Sequence, residues 1–228
     1  MVKNFFFYRV YTIMMILNQK YNTTFTSRNR QIRFADDLVR KVNQEFPRVS
    51  ASKLESFNNA KNFGFLIEDL WGLTSFIRSI INGNFLELEE STEKIKLLLN
   101  TIKTRKLGNC QESAQLALVV AKINGIENCK IAHLISPKEY NYDHAVVLVE
   151  DEKPYIIDAW LGFADYIPNA IKKYQKDFRN CFDFSKAKTE KMLVKEDFGI
   201  IQRFLNYEIT SEDIKKTKSI YPNLILTK

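Results

Sequence analysis

The spacing of apolar residues predicts helices through the first hundred positions of the chain. Leu38, Val42 and Phe46 lie four residues apart, which is helical spacing, and Pro47 ends this first apolar stripe. A later apolar run is expected to end at 82–84, an Asn-Gly-Asn sequence typical of turns. Four helices are predicted: at 35–46, behind Ser50 or Ser52, at 65–81, and at 87–103 with Ile95, Leu98, Leu99 and Ile102 on one side.

The pattern changes after residue 105. Residues 110–123 predict a helix that is apolar on almost every side, as in a buried helix, and Asn124-Gly125 is a typical helix end. Short apolar runs predict strands at 129–135, 143–149 and 155–160, followed by helices near 168–177, 196–206 and 211–219. The fold class is therefore expected to be α+β. We expect a single domain, 1–228, with a mainly helical part (1–100), a core (105–165) and C-terminal helices (166–228).

Composition narrows the class of protein. The 228 residues are 45% hydrophobic and 27% charged, enough apolar material for a sizeable core, while 7 glycines and 5 prolines disfavour a β-sandwich rich in tight turns. The three cysteines, Cys110, Cys129 and Cys181, form no Cys-x-x-Cys pair. A disulfide framework and a zinc cluster are therefore not expected, and no metal or other cofactor is predicted.

Positive charge is concentrated at the start of the chain. Of the net charge of +7, residues 1–35 contribute +6, with no acidic residue, from Lys3, Arg9, Lys20, Arg28, Arg30 and Arg33. This aromatic, basic opening is expected either to form a buried first helix or strand, or to contact a membrane surface or anionic partner. Arg9 interrupts its apolar run, so neither a secretory signal nor a membrane span is predicted. No nucleic-acid-binding module is expected, and we expect a microbial, cytoplasmic protein, with delivery into another cell by a dedicated secretion system left open.

Cys110 lies at a predicted helix start. Asn109 is a favourable N-cap residue and Glu112 follows at the spacing of a capping box, which makes Cys110 the first residue of the helix. The unpaired N–H groups and the positive end of the helix dipole favour a thiolate at this position, and the same groups bind oxyanions. The alternative is that Cys110 only packs in the core, which is the role expected of Cys129 and Cys181.

A predicted hairpin supplies a base for this thiol. The chain has two histidines, His133, expected to be a core or edge residue of a strand, and His144. His144 begins a strand, a charged turn follows, and Asp158 lies in the next strand. A hairpin centred on Asp151 places His144 directly opposite Asp158, so that both side chains share one face of the sheet. Asp158 is then expected to orient the imidazole of His144, which acts as general base for Cys110.

The order of these residues resembles a known family. The Gly-Asn-Cys motif at 108–110, the His-Ala pair at 144–145 and Asp158 resemble the core of the transglutaminase-like superfamily, the papain-like group of Cys-His-Asp enzymes. The resemblance covers about 105–161. It implies a central helix packed on an antiparallel sheet, with the cysteine as nucleophile, the histidine as general base and the aspartate as its orienting residue. Val146 stands where the family often has an aromatic residue.

A second family shares the order of the triad. Residues 110–112 (Cys-Gln-Glu) and Gly162-Phe163 are also similar to arylamine N-acetyltransferases. Those enzymes carry a doubled glycine before their cysteine, which is absent here, where Lys106-Leu107-Gly108 occupies the place. The N-acetyltransferase interpretation is therefore less favoured.

The predicted triad is interpreted as that of a cysteine hydrolase. It cleaves a peptide or amide bond, in a substrate expected to be a protein, through a thioester on Cys110. Two alternatives stay open: a transglutaminase or other acyltransferase that passes the acyl group to an amine, and a catalytically inactive binding module that keeps the fold. The N–H of Cys110 is one candidate oxyanion donor, and Asn109, Gln111 and the more distant Trp71 are candidates for the second.

Overall fold

A computed structural model of the protein describes residues 25–50, 69–88, 90–135, 143–181, 193–196 and 209–226. Within these ranges the chain forms helices α1 (Phe25–Glu45), α2 (Leu70–Glu87), α3 (Ser91–Arg105), α4 (Cys110–Ile123), α5 (Ile167–Cys181) and α6 (Ser211–Ile220), strands β1 (Cys129–Ile135), β2 (Asp143–Val149), β3 (Tyr155–Asp158), β4 (Phe163–Tyr166) and β5 (Leu193–Glu196), and a 3-10 turn (Pro222–Leu224). The expected α+β class is confirmed. No helix in the described ranges is long and apolar enough to cross a membrane.

The five strands form one sheet in the order β4-β3-β2-β1-β5, and every neighbouring pair is antiparallel. Strands β1 and β2 occupy the predicted ranges, and β3 ends at Asp158, short of the predicted 160. Strands β4 and β5 are additional, and β5 takes the first position of the helix predicted at 196–206, whose remainder lies outside the described residues. Both strands are four residues long and form on an exposed sheet edge, which a local sequence pattern does not reveal.

The helices follow the predicted stripes, but several of their ends differ. Helix α1 begins at Phe25, well before the predicted start at 35, and α2 continues to Glu87 through the Asn-Gly-Asn sequence at 82–84 that predicts a turn. Gly83 is exposed, and an exposed glycine costs a helix only about 1 kcal/mol. Buried Ile77 and Ile81 hold α2 against the core and outweigh that cost. The opening 1–24 and the helix predicted behind residue 50 lie outside the described residues; Arg30 and Arg33 are exposed on α1.

Helix α4 lies at the centre of the molecule. All of its residues from Glu112 to Ala121 are buried, as its apolar composition predicts. It packs on one face of the sheet together with α1, and α3 packs against α4, in a main core that includes Leu38, Leu99, Leu116, Val120, Val147 and Ile157. The other face of the sheet is covered by α5, in a second cluster formed by Ala132, Val146, Leu148, Ile156, Trp160, Ala170 and Tyr174. The sheet is therefore covered on both faces.

Candidate active site

Cys110 is the first residue of α4. Asn109, the N-cap residue, has an extended backbone (φ −96°, ψ −160°), and its N–H donates to Oε2 of Glu112 at 2.8 Å, as the predicted capping box requires. The side chain of Cys110 is partly exposed and packs against the α5 side of the sheet, beside the second cluster. The thiol therefore lies at the N-terminal end of a buried helix and within reach of solvent.

His144 and Asp158 form a buried pair. Nε2 of His144 lies 2.6 Å from Oδ2 of Asp158, and each residue is only 1% exposed. The two strands that carry them pair Val147 with Ile157 and Val149 with Tyr155. The prediction that both side chains share one sheet face is confirmed, because residues of the same parity on paired strands point the same way.

The predicted register of this hairpin is wrong by two residues. Extending the observed pairing places His144 opposite residue 160 and not opposite Asp158, so the two side chains meet diagonally. The observed register pairs apolar residues with one another, Val149 with Tyr155 and Leu148 with Ile156. A hairpin centred on Asp151 would instead place Lys153 opposite Val149 and Pro154 opposite Leu148. A shift of the partner by two residues preserves the face, so the pair still forms.

Four donors converge on the carboxylate of Asp158. Its Oδ2 accepts from Nε2 of His144 and, at 3.0 Å, from the hydroxyl of Tyr174. Its Oδ1 accepts from the backbone N–H groups of Trp160 and Leu161, at 3.0 and 2.8 Å. The rings of Trp160 and Tyr174 flank the imidazole, with centroids 5.1 and 5.7 Å from its own. These contacts compensate a carboxylate for the loss of water and hold it in one orientation.

The electrostatics of the site favour a charged imidazole. Burial by itself lowers the pKa of His144, but the charge and hydrogen bond of Asp158, and then the hydrogen bond and charge of Cys110, raise that pKa to about 10. Since Nε2 is bound to Asp158, Nδ1 is the ring nitrogen left for the Cys110 thiol. At neutral pH this arrangement supports an imidazolium beside the side chain of Cys110.

An ion pair lies over the first turn of α4. Arg78 of α2 donates through Nε and Nη2 to the two carboxylate oxygens of buried Glu112, at 2.7 and 3.1 Å. Burial lowers the pKa of Arg78, but the hydrogen bond and charge of Glu112, with a smaller contribution from the charge of Cys110, raise it overall. A guanidinium is therefore close enough to Cys110 to interact with a thiolate. Neither Arg78 nor Tyr174 was predicted from the sequence. The only sequence signal for Arg78 was its position as the single arginine of an apolar helix.

The remaining cysteines and the second histidine lie elsewhere. Cys129 is buried, its Sγ donates to the carbonyl oxygen of Ile126 at 3.0 Å, and burial raises its pKa to about 11. This supports the core role predicted for it. Cys181 is the last residue of α5, and its side chain lies outside the described part. His133 is buried on β1 and pairs with Ala145, which places it on the sheet face opposite His144.

The candidate oxyanion donors are placed only in part. Oδ1 of buried Asn109 accepts from the hydroxyl of Ser50 at 2.8 Å, so Nδ2 is the donor group of that amide. Gln111 is partly exposed on the first turn of α4, and the side chain of Trp71 lies outside the described part. The second oxyanion donor therefore stays a prediction. Within the described ranges, no group of three or more His, Cys, Asp or Glu side chains is arranged to hold a metal ion.

No protein-family model matches this chain, and no curated protein is significantly similar to it. Any functional conclusion therefore rests on the residues and on their geometry.

Proposed function

We propose that the protein is a cysteine hydrolase that cleaves a peptide or amide bond through a thioester on Cys110. The observation that carries the proposal is the buried His144–Asp158 pair, whose imidazole is hydrogen-bonded to the thiol at the start of α4. We further propose that residues 105–161 are a papain-like core. The packing of a central helix that starts with cysteine on an antiparallel sheet supports this assignment.

In the proposed acylation step, the Cys110 thiolate attacks the carbonyl carbon of the substrate and forms a C–S bond. The carbonyl electrons move to oxygen, and this oxyanion accepts a hydrogen bond from the N–H of Cys110, with Asn109 or Gln111 as the proposed second donor. When the intermediate collapses, the C–N bond breaks and the proton on Nδ1 of His144 passes to the leaving nitrogen. A thioester and a neutral imidazole remain.

In the proposed deacylation step, water attacks the thioester carbon and His144 accepts the proton of that water. The C–S bond then breaks, the carboxylic acid leaves, and the thiolate and imidazolium are restored. Asp158 orients the imidazole and stabilises the imidazolium. An amine that reaches the thioester before water would give acyl transfer by the same machinery.

The test uses substrates that separate these outcomes. Wild type and Cys110→Ala, the matched control, are incubated with a peptide library that presents both peptide bonds and glutamine carboxamides, with and without a fluorescent primary amine. Intact mass spectrometry follows adducts on the protein, and product analysis follows new termini, released ammonia and incorporated amine. We expect a transient acyl adduct that Cys110→Ala lacks, and an acid product. Amine incorporation in place of the acid would identify an acyltransferase; an unreactive Cys110 would leave only the inactive binding module.

A further inference from the structure

We propose that Arg48 and Ser50 are positioning residues that hold the Cys110 end of α4 against the turn after Asp158. Both belong to the segment 46–50, which follows α1. Through them, a segment far from the triad in sequence sets the separation between the thiol and the imidazole. This inference rests on the proposed function.

Arg48 joins the two halves of the site directly. Its Nε donates to Oγ of Ser113 at 2.9 Å, and its Nη2 donates to the carbonyl oxygen of Ala159 at 3.1 Å. Ser113 lies three residues after Cys110, on the same side of α4, and Ala159 directly follows Asp158. The third nitrogen, Nη1, donates to the carbonyl oxygen of Phe46 at 2.8 Å and anchors the guanidinium to its own segment. All three nitrogens of the fork therefore have acceptors.

Ser50 makes a second bridge beside the first. The indole Nε1 of Trp160 donates to Oγ of Ser50 at 2.9 Å, and that hydroxyl donates to Oδ1 of Asn109 at 2.8 Å. Trp160 packs against the imidazole of His144, and Asn109 directly precedes Cys110. Since an indole N–H is only a donor, this relay also determines which end of the Asn109 amide faces Ser50.

The backbone of the segment is held alongside the approach to α4. Val49 donates its N–H to the carbonyl oxygen of Lys106 at 2.9 Å, and Gly108 donates to the carbonyl oxygen of Val49 at 3.0 Å. Packing at this point is tight, because a Cβ on Gly108 would lie 3.0 Å from Cβ of Glu112 and 3.5 Å from Cδ of Arg48. The segment therefore has little room to move relative to the nucleophile.

Charge keeps Arg48 in place. Burial lowers its pKa to about 10, while the charges of Glu112 and Asp158 act in the opposite direction, so the guanidinium is cationic at neutral pH. The Arg48 guanidinium is attracted both to the carboxylate of Glu112, in the first turn of the helix that begins at Cys110, and to the carboxylate of Asp158, which binds His144. A displacement of about 1 Å between reacting groups can cost a hundredfold in rate, so a bridge at this position has consequences for chemistry as well as stability.

The experiment measures the reactivity of Cys110 without requiring a substrate. The alkylation rate of Cys110 by iodoacetamide is followed from pH 5 to 10 by peptide mass spectrometry, with the thermal midpoint of each variant. Arg48→Lys keeps the charge, but one ammonium cannot reach three separate acceptors, and Ser50→Ala removes the relay with little change in volume. Thr92→Ala is the control, because it removes a buried hydrogen bond to Asp213 between α3 and α6, away from the site.

We expect Arg48→Lys and Ser50→Ala to slow alkylation of Cys110 at pH 7 by about tenfold. The dependence of the alkylation rate on pH should change as well. Thr92→Ala should lower the thermal midpoint and leave the profile unchanged. Wild-type profiles in both site variants would reduce Arg48 and Ser50 to stabilising residues and overturn the inference. If Arg48→Lys does not fold, Ser50→Ala decides. A different variant tests the proposed function itself. If the protein has no Cys-His site, His144→Ala should have the same alkylation profile as wild type.

Discussion

The imidazole of His144 and the carboxylate of Asp158 are joined at 2.6 Å in a part of the molecule that is closed to solvent. Three further donors, two from the backbone and one from Tyr174, hold that carboxylate from its other sides. A carboxylate saturated in this way cannot turn away from the imidazole, so it keeps Nε2 occupied and leaves Nδ1 for Cys110. The following predictions depend on this arrangement.

Cys110 is expected to be the most reactive of the three cysteines. Cys110 lies at a helix N-terminus beside the imidazole of His144 and is partly exposed, whereas Cys129 is buried and burial raises its pKa to about 11. At pH 6, iodoacetamide should alkylate Cys110 at least tenfold faster than Cys129 or Cys181, as measured by peptide mass spectrometry. Equal rates for Cys110 and the other two would remove the main support for a nucleophile.

Asp158→Asn is expected to reduce both turnover and stability. The similar volume of asparagine suggests a tolerated change, but its single amide oxygen cannot accept from four donors, and its NH2 must face at least one of them. Turnover, or acylation of Cys110 by an activated ester, should fall by up to about 10⁴-fold, as for the same change in a serine-protease triad. Unfolding should become easier by about 1–3 kcal/mol. Asp158→Ala should cost more stability, because it also leaves a cavity. If Cys110 of the Asn variant is acylated at the wild-type rate, Asp158 takes no part in the reaction and the site is a Cys-His dyad.

Tyr174→Phe is expected to affect the site while sparing the fold. The change removes the hydroxyl that donates to Asp158 at 3.0 Å but keeps the ring against His144. Acylation of Cys110 should slow by about 3- to 30-fold and the loss of stability should be about 1 kcal/mol, the usual contribution of one hydrogen bond. Tyr155→Phe, on the opposite face of the sheet, is the matched control and should keep the wild-type rate. Equal rates in both variants would show that the Tyr174 hydroxyl does not position Asp158.

Stability is expected to fall at alkaline pH because of His144. The pKa of this group is raised to about 10 in the folded protein, against about 6.5 in an unfolded chain. Its contribution is therefore fully present below about pH 6.5 and is lost as the pH rises through about 10. Urea unfolding of Cys110→Ala, which removes titration of that thiol, should show a decrease in unfolding free energy from pH 6.5 to 10. The double variant Cys110→Ala/His144→Asn should show a smaller decrease; an equal decrease would contradict a raised pKa.

Local sequence determined most of the described elements and part of the site. The start of α4 at Cys110 could be predicted because an N-cap residue and a glutamate three positions later act within one turn. The common face of His144 and Asp158 could be predicted because strand side chains alternate with a period of two, which survives even the incorrect register. The buried stripes of α1 and α3 followed in the same way from helical periodicity.

The tertiary structure decided how these pieces meet. The register of β2 and β3 depended on which apolar residues pair across the two strands, and β5 needed the free edge of β1. The residues that complete the site, Arg48, Ser50, Arg78 and Tyr174, come from segments that no spacing in the chain connects to the triad. A hydrogen bond such as that of Arg48 with Ala159 spans 111 positions, and it forms only because packing of α1, α4 and the sheet brings both ends together. Periodicity reports which side of an element is buried, whereas the partner on that side is set by the fold as a whole.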